Sequence, residues 1–334
     1  MARIATKMWE KYCLRPTQDL PATVIPVFLY GTAWKKDRSA QLVYTALKAG
    51  FRAVDTAAQP RHYQEPLVGD GIRRAIGDGI VRREDLYVSR ESGCPGAALI
   101  ADPTQVQTKF SPIAAQDPDN MPYDATASVT DQVHASIKSS LHNLRPSEDP
   151  GSVNEAYIDT LVIHSPLQTI EQTIEAWLAL ETYVPHRIRN LGISNCRLAV
   201  LQKLFASTAV TVKPAVVQNR FYEDTEFDVP LRAFCRENQI IYQSFWTLTA
   251  NPGLVRSEPV QQLAAQVNIS PAAALYALVM GLGHTTVLNG TKNETRMAED
   301  LIAPRKVEEF TQQHAAQWQQ LLGGFQALIG EGAA

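Results

Sequence analysis

The sequence is poor in cysteine and has no concentrated charge. Its four cysteines, Cys13, Cys94, Cys196 and Cys235, form no CxxC pair, so we expect reduced thiols rather than a disulfide framework. The net charge is -3, without basic blocks, and nucleic-acid binding is not expected. The sequence has no apolar run long enough to span a bilayer and no signal-like apolar core near its start. We therefore predict a cytoplasmic protein that binds neither nucleic acid nor membrane.

Two motifs typical of other enzyme classes are also missing. A doubly wound dinucleotide-binding sheet would carry GxGxxG after its first strand, but Gly69-Asp-Gly71 lies within a helical pattern. A metal-dependent hydrolase on a barrel would need clustered ligands, often HxH, but the seven histidines are scattered. We predict no metal site and treat a metallohydrolase as a less favoured alternative.

The chain does contain a regular alternation of β-like runs and amphipathic helices. Hydrophobic residues make up 45% of its 334 residues, enough for a full core. About eight strand–helix units follow one another without a linker, which predicts an α/β fold of the (β/α)8 TIM-barrel type. We expect one domain over residues 1–334, with a barrel core at 20–303, an atypical insertion at 88–105 and a C-terminal helical tail at 304–334. The clearest predicted helices are Ser39–Ala49, Val229–Glu237 and Asn293–Leu301.

Polar residues stand where three of the predicted strands end. Asp55 closes one hydrophobic run, Lys109 closes another and His164 a third, while Tyr63 follows soon after Asp55. In a barrel of parallel strands, the C-terminal strand ends meet at one mouth, so these side chains are expected to form an active site there. Each residue alone is more often a cap, a packing group or a surface charge.

Several longer motifs occur in a fixed order around these residues. They are 25–32, 49–57, 161–166, 191–195, 216–219, 242–248 and 287–300. On these motifs the chain resembles the aldo-keto reductases, most of all fungal members, from about Ile25 to Leu301. The resemblance implies reduction of a small aldehyde or ketone with a nicotinamide cofactor, by a monomer or weak homodimer.

The resemblance also implies catalytic roles. Tyr63 would donate the proton, since a nearby ammonium, Lys109, stabilises phenolate and lowers a tyrosine pKa from near ~10. Asp55 would hold Lys109, and His164 would hydrogen-bond the substrate oxygen. Tyr63 stands further from Asp55 than is usual in the family.

His62 and Arg61 are therefore kept as alternatives for the tyrosine position. A barrel that binds cofactor without turnover, as a redox sensor or interaction protein, is the alternative function.

Residues at the other strand ends would hold the cofactor. The resemblance implies Gly31, Thr32, Ser194, Asn195, Gln218, Phe245, Leu248, Thr291, Arg296, Glu299 and Asp300. Phe245 would stack on the nicotinamide, although it and Trp246 could equally be core aromatics. Arg296 favours NADP(H) over NAD(H), because arginine contacts phosphate well; its alternative role is a surface charge paired with Glu299 or Asp300.

Three segments depart from the family's pattern. If residues 88–105 were removed, the flanking residues would join into a strand like the one that the family has before Lys109. This segment is therefore either a translated retained intron or a surface loop. If it displaces 106–109, activity would fail. The insertion Ser111–Thr126 follows a strand and is expected to shape the substrate pocket, whereas 146–156 is expected to be inert.

Overall fold

The computed structural model describes residues 11–14, 23–83 and 104–332, and its strands follow the predicted alternation. The strands in this part of the chain are β1 Lys11–Leu14, β2 Thr23–Pro26, β3 Phe28–Gly31, β4 Ala53–Asp55, β5 Gln105–Phe110, β6 Ile158–Ile163, β7 Ile188–Ser194, β8 Val216–Arg220, β9 Ile241–Phe245 and β10 Thr285–Asn289. The last eight close into a barrel in the order β10-β3-β4-β5-β6-β7-β8-β9, and β1 pairs with β2 in a separate sheet. The predicted (β/α)8 barrel is confirmed.

Helices follow most of the barrel strands. They are α1 Ser39–Ala49, α2 Glu65–Gly77, α3 Val129–Asn143, α4 Ile170–Glu181, α5 Leu198–Ala206, α6 Val229–Glu237, α7 Pro252–Val255, α8 Glu258–Val267, α9 Pro271–Gly281, α10 Glu294–Gln313 and α11 Ala315–Leu328. Helices α1 and α6 have the predicted bounds. No single helix in the described residues is long and apolar enough to cross a membrane; α8 and α9 meet those criteria only as a pair bent by 108°.

The helix boundaries follow from local chemistry. Gly50 ends α1 with a φ of 118°, a left-handed conformation that glycine adopts without strain. Ser270 caps α9 by accepting a hydrogen bond from the amide of Ala273, and Pro271 occupies the first helical position. Ser128 caps α3 in the same way, through the amide of Asp131.

Helix α10 is longer than predicted. The prediction ended it at Leu301 and began a separate tail at Pro304, but α10 continues through Pro304 to Gln313. A proline inside a helix costs about 3 kcal/mol because it removes a hydrogen bond. Here Met297, Val307 and the proline itself are buried, so packing of this face outweighs that cost. The predicted helix end at Leu301 is therefore wrong, whereas the C-terminal tail at 304–334 stays a prediction.

The start of β5 is tied firmly to its neighbours. Arg83 Nη1 donates to the carbonyl of Thr104 at 2.9 Å and to Asp159 Oδ2 at 2.6 Å. The Val106 amide donates to the same carboxylate oxygen at 2.8 Å. Gln105 pairs with Ala53 inside the barrel.

Gln105 therefore belongs to β5, which begins one residue before the predicted start at Val106; the insertion at 88–105 stays a prediction. Residues 88–103 of that insertion lie outside the described part of the chain.

Two compact units can be distinguished along the chain. One contains Tyr30–Ala215, and the other contains Val24–Leu29 with Val216–Ala334. In the first unit, β4, β5 and β6 pair in parallel, with Asp55 beside Gln107 and Lys109 beside Val162. In the second, β8, β9 and β10 do the same. The single-domain boundaries stay a prediction.

Candidate active site

Asp55 and Lys109 form a buried ion pair at the ends of β4 and β5. Lys109 Nζ lies 2.8 Å from Asp55 Oδ1 and 2.7 Å from Oδ2. It also donates to the carbonyl of Thr56 at 2.8 Å. Gln107 Nε2 donates to Asp55 Oδ1 at 2.7 Å. Both charged side chains are about 1% exposed, so each compensates the burial of the other.

Tyr63 lies directly beside this pair. Its amide donates to the carbonyl of Gln59 at 3.0 Å, which turns the loop after β4 back toward the barrel. Lys109 Nζ lies 5.1 Å from the centre of the Tyr63 ring. The His164 ring centre is 5.9 Å from that of Tyr63, with the planes at 73°. The structure thus brings together the four residues predicted from the strand ends.

The two alternatives to Tyr63 point elsewhere. The His62 ring packs against Trp34, with ring centres 4.0 Å apart. Its Nδ1 lies 2.8 Å from Gln59 Oε1, and Arg61 is exposed. In the described residues the side chain over Lys109 is therefore that of Tyr63.

The electrostatics of Tyr63 differ from the expectation. Burial raises the pKa of its phenol, and the negative charge of Asp55 raises that pKa further. Burial lowers the pKa of Lys109, while Asp55 opposes that shift. The net shift is therefore opposite to the expected lowering, because desolvation and the charge of Asp55 both disfavour phenolate. The phenol consequently stays protonated at neutral pH.

His164 is held at its backbone and its ring. Its amide donates to the carbonyl of Phe110 at 2.8 Å, and Ser111 Oγ lies 2.6 Å from its Nδ1. Asn195 Nδ2 donates to the carbonyl of His164 at 2.8 Å and to Ser194 Oγ at 3.1 Å. Two of the predicted cofactor residues, Ser194 and Asn195, therefore lie next to the histidine.

Sequence reasoning missed Gln107 and Ser111. Gln107 lies two residues before Lys109, and alternate residues of a strand face the same side, so that spacing could have indicated it. Ser111 carries no such signal, since its contact with His164 depends on the loop that follows β5.

Thr32, a predicted cofactor residue directly after β3, is buried. The Thr32 amide and hydroxyl both donate to the carbonyl of Asp55, at 3.0 and 2.9 Å. Gly31 precedes it and pairs with Asp55 in the sheet. Thr32 therefore fixes the end of β4, on which the ion pair depends.

In the second unit, the half-buried Phe245 ends β9 and the exposed Trp246 follows it. Phe245 and Trp246 have ring centres 6.1 Å apart, and the Arg220 guanidinium lies 5.4 and 4.7 Å from those centres. Trp246 is 49% exposed, so it is not a core aromatic. Gln218 Nε2 donates to Gln243 Oε1 at 3.0 Å.

The loop between β10 and α10 is organised around Asn289. Its Oδ1 accepts from the Thr291 amide at 3.0 Å and its Nδ2 donates to Asp300 Oδ2 at 2.8 Å. Asn293 caps α10 through the Arg296 amide. The Arg296 and Glu299 side chains are exposed, whereas Asp300 is buried, and burial raises its pKa to about 6.

Within residues 11–14, 23–83 and 104–332, no group of three His, Cys, Asp or Glu residues is placed to hold a metal ion. Cys196 and Cys235 are free thiols and both are buried.

The strand ends of this closed barrel carry a phenol, an imidazole and an ammonium–carboxylate pair. An oxidoreductase built on a barrel can use such a set for its chemistry. The family model for the aldo/keto reductase family matches residues 29–322. The chain belongs to this family and is an NAD(P)H-dependent oxidoreductase.

Named relatives and solved structures agree with that assignment. The methylglyoxal reductase DkgB of Escherichia coli O157:H7 is 26% identical over 274 residues, covering 81% of this chain and 84% of that protein. The NAD(P)H-dependent D-xylose reductase of Candida tenuis is 29% identical over 188 residues, covering 54% and 50%. An aldo-keto reductase of Bombyx mori in complex with NADP has a TM-score of 0.64 at 20% identity, covering 91% and 92%.

Proposed function

We propose that this protein reduces a small aldehyde or ketone to an alcohol with NADP(H), and that Tyr63 donates the proton. The observation that carries the proposal is the position of Tyr63 between the Lys109 ammonium and the His164 ring. A carbonyl whose oxygen approaches the phenol would have an imidazole beside it, and both groups can donate hydrogen bonds to that oxygen.

Tyr63 carries a proton to donate. Since burial raises the pKa of Tyr63, the phenol holds its proton until charge develops on the substrate oxygen. The phenolate left behind would face the Lys109 ammonium, which partly stabilises it. Asp55 and the Thr56 carbonyl hold that ammonium in place.

A bound nicotinamide cofactor would supply the hydride. The residues we propose to hold it follow β3, β7, β8, β9 and β10. Phe245 offers a half-buried aromatic face, and the start of α10 with Arg296 offers amides and a guanidinium for phosphate. Arg296 supports NADP(H) over NAD(H) because a guanidinium can contact a 2′-phosphate in a bidentate way.

The relatives suggest the substrate class. A methylglyoxal reductase and a D-xylose reductase are among them, and both names describe small oxygenated carbonyl compounds. We therefore propose small, polar aldehydes and ketones as substrates.

The direct test measures oxidation of NADPH with a panel of such carbonyls for the wild type and for Tyr63→Phe. We expect Tyr63→Phe to lose at least about 100-fold in kcat/KM and to retain NADPH binding. Tyr44→Phe is the matched control, because it removes the same hydroxyl from an outer helix, where Tyr44 bonds Asp78; its activity should be unchanged.

Other results would contradict the proposal in distinct ways. Activity that survives Tyr63→Phe but is lost in His62→Phe would move the proton donor to His62. NADPH binding by the wild type without any turnover would favour the alternative of a cofactor-binding barrel without catalysis.

A further inference from the structure

Ser111 makes a side-chain contact with His164 that the proposed function does not use. It follows the last residue of β5 and is fully buried. Its Oγ lies 2.6 Å from His164 Nδ1, a distance typical of a strong hydrogen bond. One of the two groups must donate, and the choice determines which ring nitrogen carries the proton.

The hydroxyl proton decides between the two possibilities. In the described part of the chain, His164 Nδ1 is the hydrogen-bond partner of Ser111 Oγ. If Nδ1 carried a proton and donated it, the serine proton would be buried without an acceptor, which is costly. If the serine donates, its proton is satisfied and Nδ1 acts as the acceptor. A neutral His164 then carries its proton on Nε2.

The loop after β5 fixes Ser111 in this position. The Ser111 carbonyl accepts from the Tyr123 hydroxyl at 2.6 Å and from Gln116 Nε2 at 3.3 Å. Both partners belong to the insertion Ser111–Thr126. This insertion therefore acts on the site through Ser111.

The same insertion is fastened to the loop that carries Tyr63. Gln116 Nε2 donates to the carbonyl of Ala58 at 2.8 Å, and Gln59 Nε2 donates to the carbonyl of Ala115 at 2.5 Å. These reciprocal bonds join the loops after β4 and β5. Tyr63 and Ser111, which contacts His164, therefore lie on two loops that are hydrogen-bonded to each other.

We propose that Ser111 is a positioning residue that fixes His164 in the tautomer with the proton on Nε2. This inference rests on the proposed function, in which His164 donates a hydrogen bond to the substrate carbonyl oxygen. Without the serine hydroxyl, the imidazole is free to carry its proton on Nδ1. Its Nε2 lone pair would then repel the carbonyl oxygen instead of binding it.

The test combines kinetics with a direct measurement of the tautomer. In the full chain with NADP+ added, 15N NMR of the histidine side chains should show His164 protonated on Nε2, with His164→Gln used to assign its signals. Ser111→Ala should shift His164 toward the Nδ1 tautomer and lower kcat/KM by roughly 10-fold, mainly through kcat. Ser111→Thr keeps the hydroxyl and should restore both the tautomer and most of the rate.

The tautomer of His164 is the readout that distinguishes this role from simple loosening of the loop, and Ser111→Thr should match the wild type in it. A wild-type His164 protonated on Nδ1 would overturn the inference, even if the alanine variant failed to fold. An unchanged tautomer in a folded Ser111→Ala protein would also overturn it.

The tautomer measurement separates this inference from the proposed function. If the wild type binds NADPH but reduces no carbonyl, the proposed function fails, while the NMR result still supports or overturns the role of Ser111.

Discussion

Lys109 Nζ contacts both carboxylate oxygens of Asp55, at 2.8 and 2.7 Å, with both side chains buried. A buried pair of this kind contributes little to stability compared with apolar residues of the same shape, because desolvation offsets the attraction. Its presence at the strand ends is therefore better explained by chemistry than by folding. Replacing one member of the pair alone should lower the free energy of unfolding far more than replacing both.

We expect Asp55→Asn to reduce the free energy of unfolding by about 3 kcal/mol, since it leaves a buried ammonium without its counterion. The double variant Asp55→Asn with Lys109→Met should recover most of that loss. Both variants should be inactive. Urea unfolding followed by circular dichroism gives the stabilities, and NADPH oxidation gives the activity.

The contrary result is simple additivity. Suppose that Asp55→Asn alone and Lys109→Met alone lower the free energy of unfolding by amounts that sum to the loss in the double variant. The two residues are then energetically independent and the pair is not coupled.

The raised pKa of Tyr63 leads to a second prediction, on pH. Burial and Asp55 move the pKa of the phenol above its usual value of 10.0. The acid form is then complete at all lower pH values, so kcat/KM for reduction should not fall between about pH 6 and about pH 9 on account of Tyr63.

The pH profile of carbonyl reduction checks this, with cofactor saturating throughout. A wild-type decline in that range that the residual activity of Tyr63→Phe does not share would show that the phenol ionises there, contrary to this prediction.

Some of this site could be predicted from the sequence because strand periodicity and strand ends are local features. Asp55, Lys109 and His164 each follow a hydrophobic run, and parallel strands bring such ends together. The sequence could not show which side chain lies over Lys109, because the loop from Thr56 to Gln64 directs Tyr63 and His62 to different neighbours.

Other properties depend on contacts between distant parts of the chain. The pKa of Tyr63 follows from desolvation, which no local pattern reveals. The passage of α10 through Pro304 depends on the packing of its buried face, which overrode the usual effect of proline. Ser111 acquires its contact because β6 lies beside β5 and because the loop that follows β5 fixes its position.

A third prediction concerns the insertion before β5. The Thr104 amide donates to the carbonyl of Arg82 at 3.1 Å, and Arg83 binds the Thr104 carbonyl. The chain therefore leaves and re-enters the described structure at adjacent points. Deleting residues 86–103 should keep the fold, the position of Lys109 and the activity of the parent, because every contact of β5 within the described residues is retained.

Deleting residues 88–105 instead removes Thr104 and Gln105 and is the matched comparison of equal length. Circular dichroism, thermal unfolding and NADPH oxidation would compare the two variants. Loss of soluble, active protein on deletion of 86–103 would show that the insertion is required, and would argue against its origin as a translated intron.

The last prediction concerns Asp300, whose pKa burial raises from 3.8 to about 6. Between these values the folded state holds more protons on Asp300 than the unfolded state does. The free energy of unfolding therefore falls as pH rises through this window, and the full penalty remains above about pH 6. Asp300→Asn has no charge to bury, and its side-chain oxygen can still accept from Asn289 Nδ2.

The difference in stability between Asp300→Asn and the wild type should thus be near zero at about pH 4 and grow to at most about 3 kcal/mol above about pH 6. Urea unfolding at several pH values measures it. Glu309→Gln removes a carboxylate from the exposed side of the same helix, where it pairs with Arg305, and should show no such trend. A difference of constant size across the range would mean that Asp300 ionises in the folded protein as it does in the unfolded chain, and that its hydrogen bond from Asn289 compensates fully for burial.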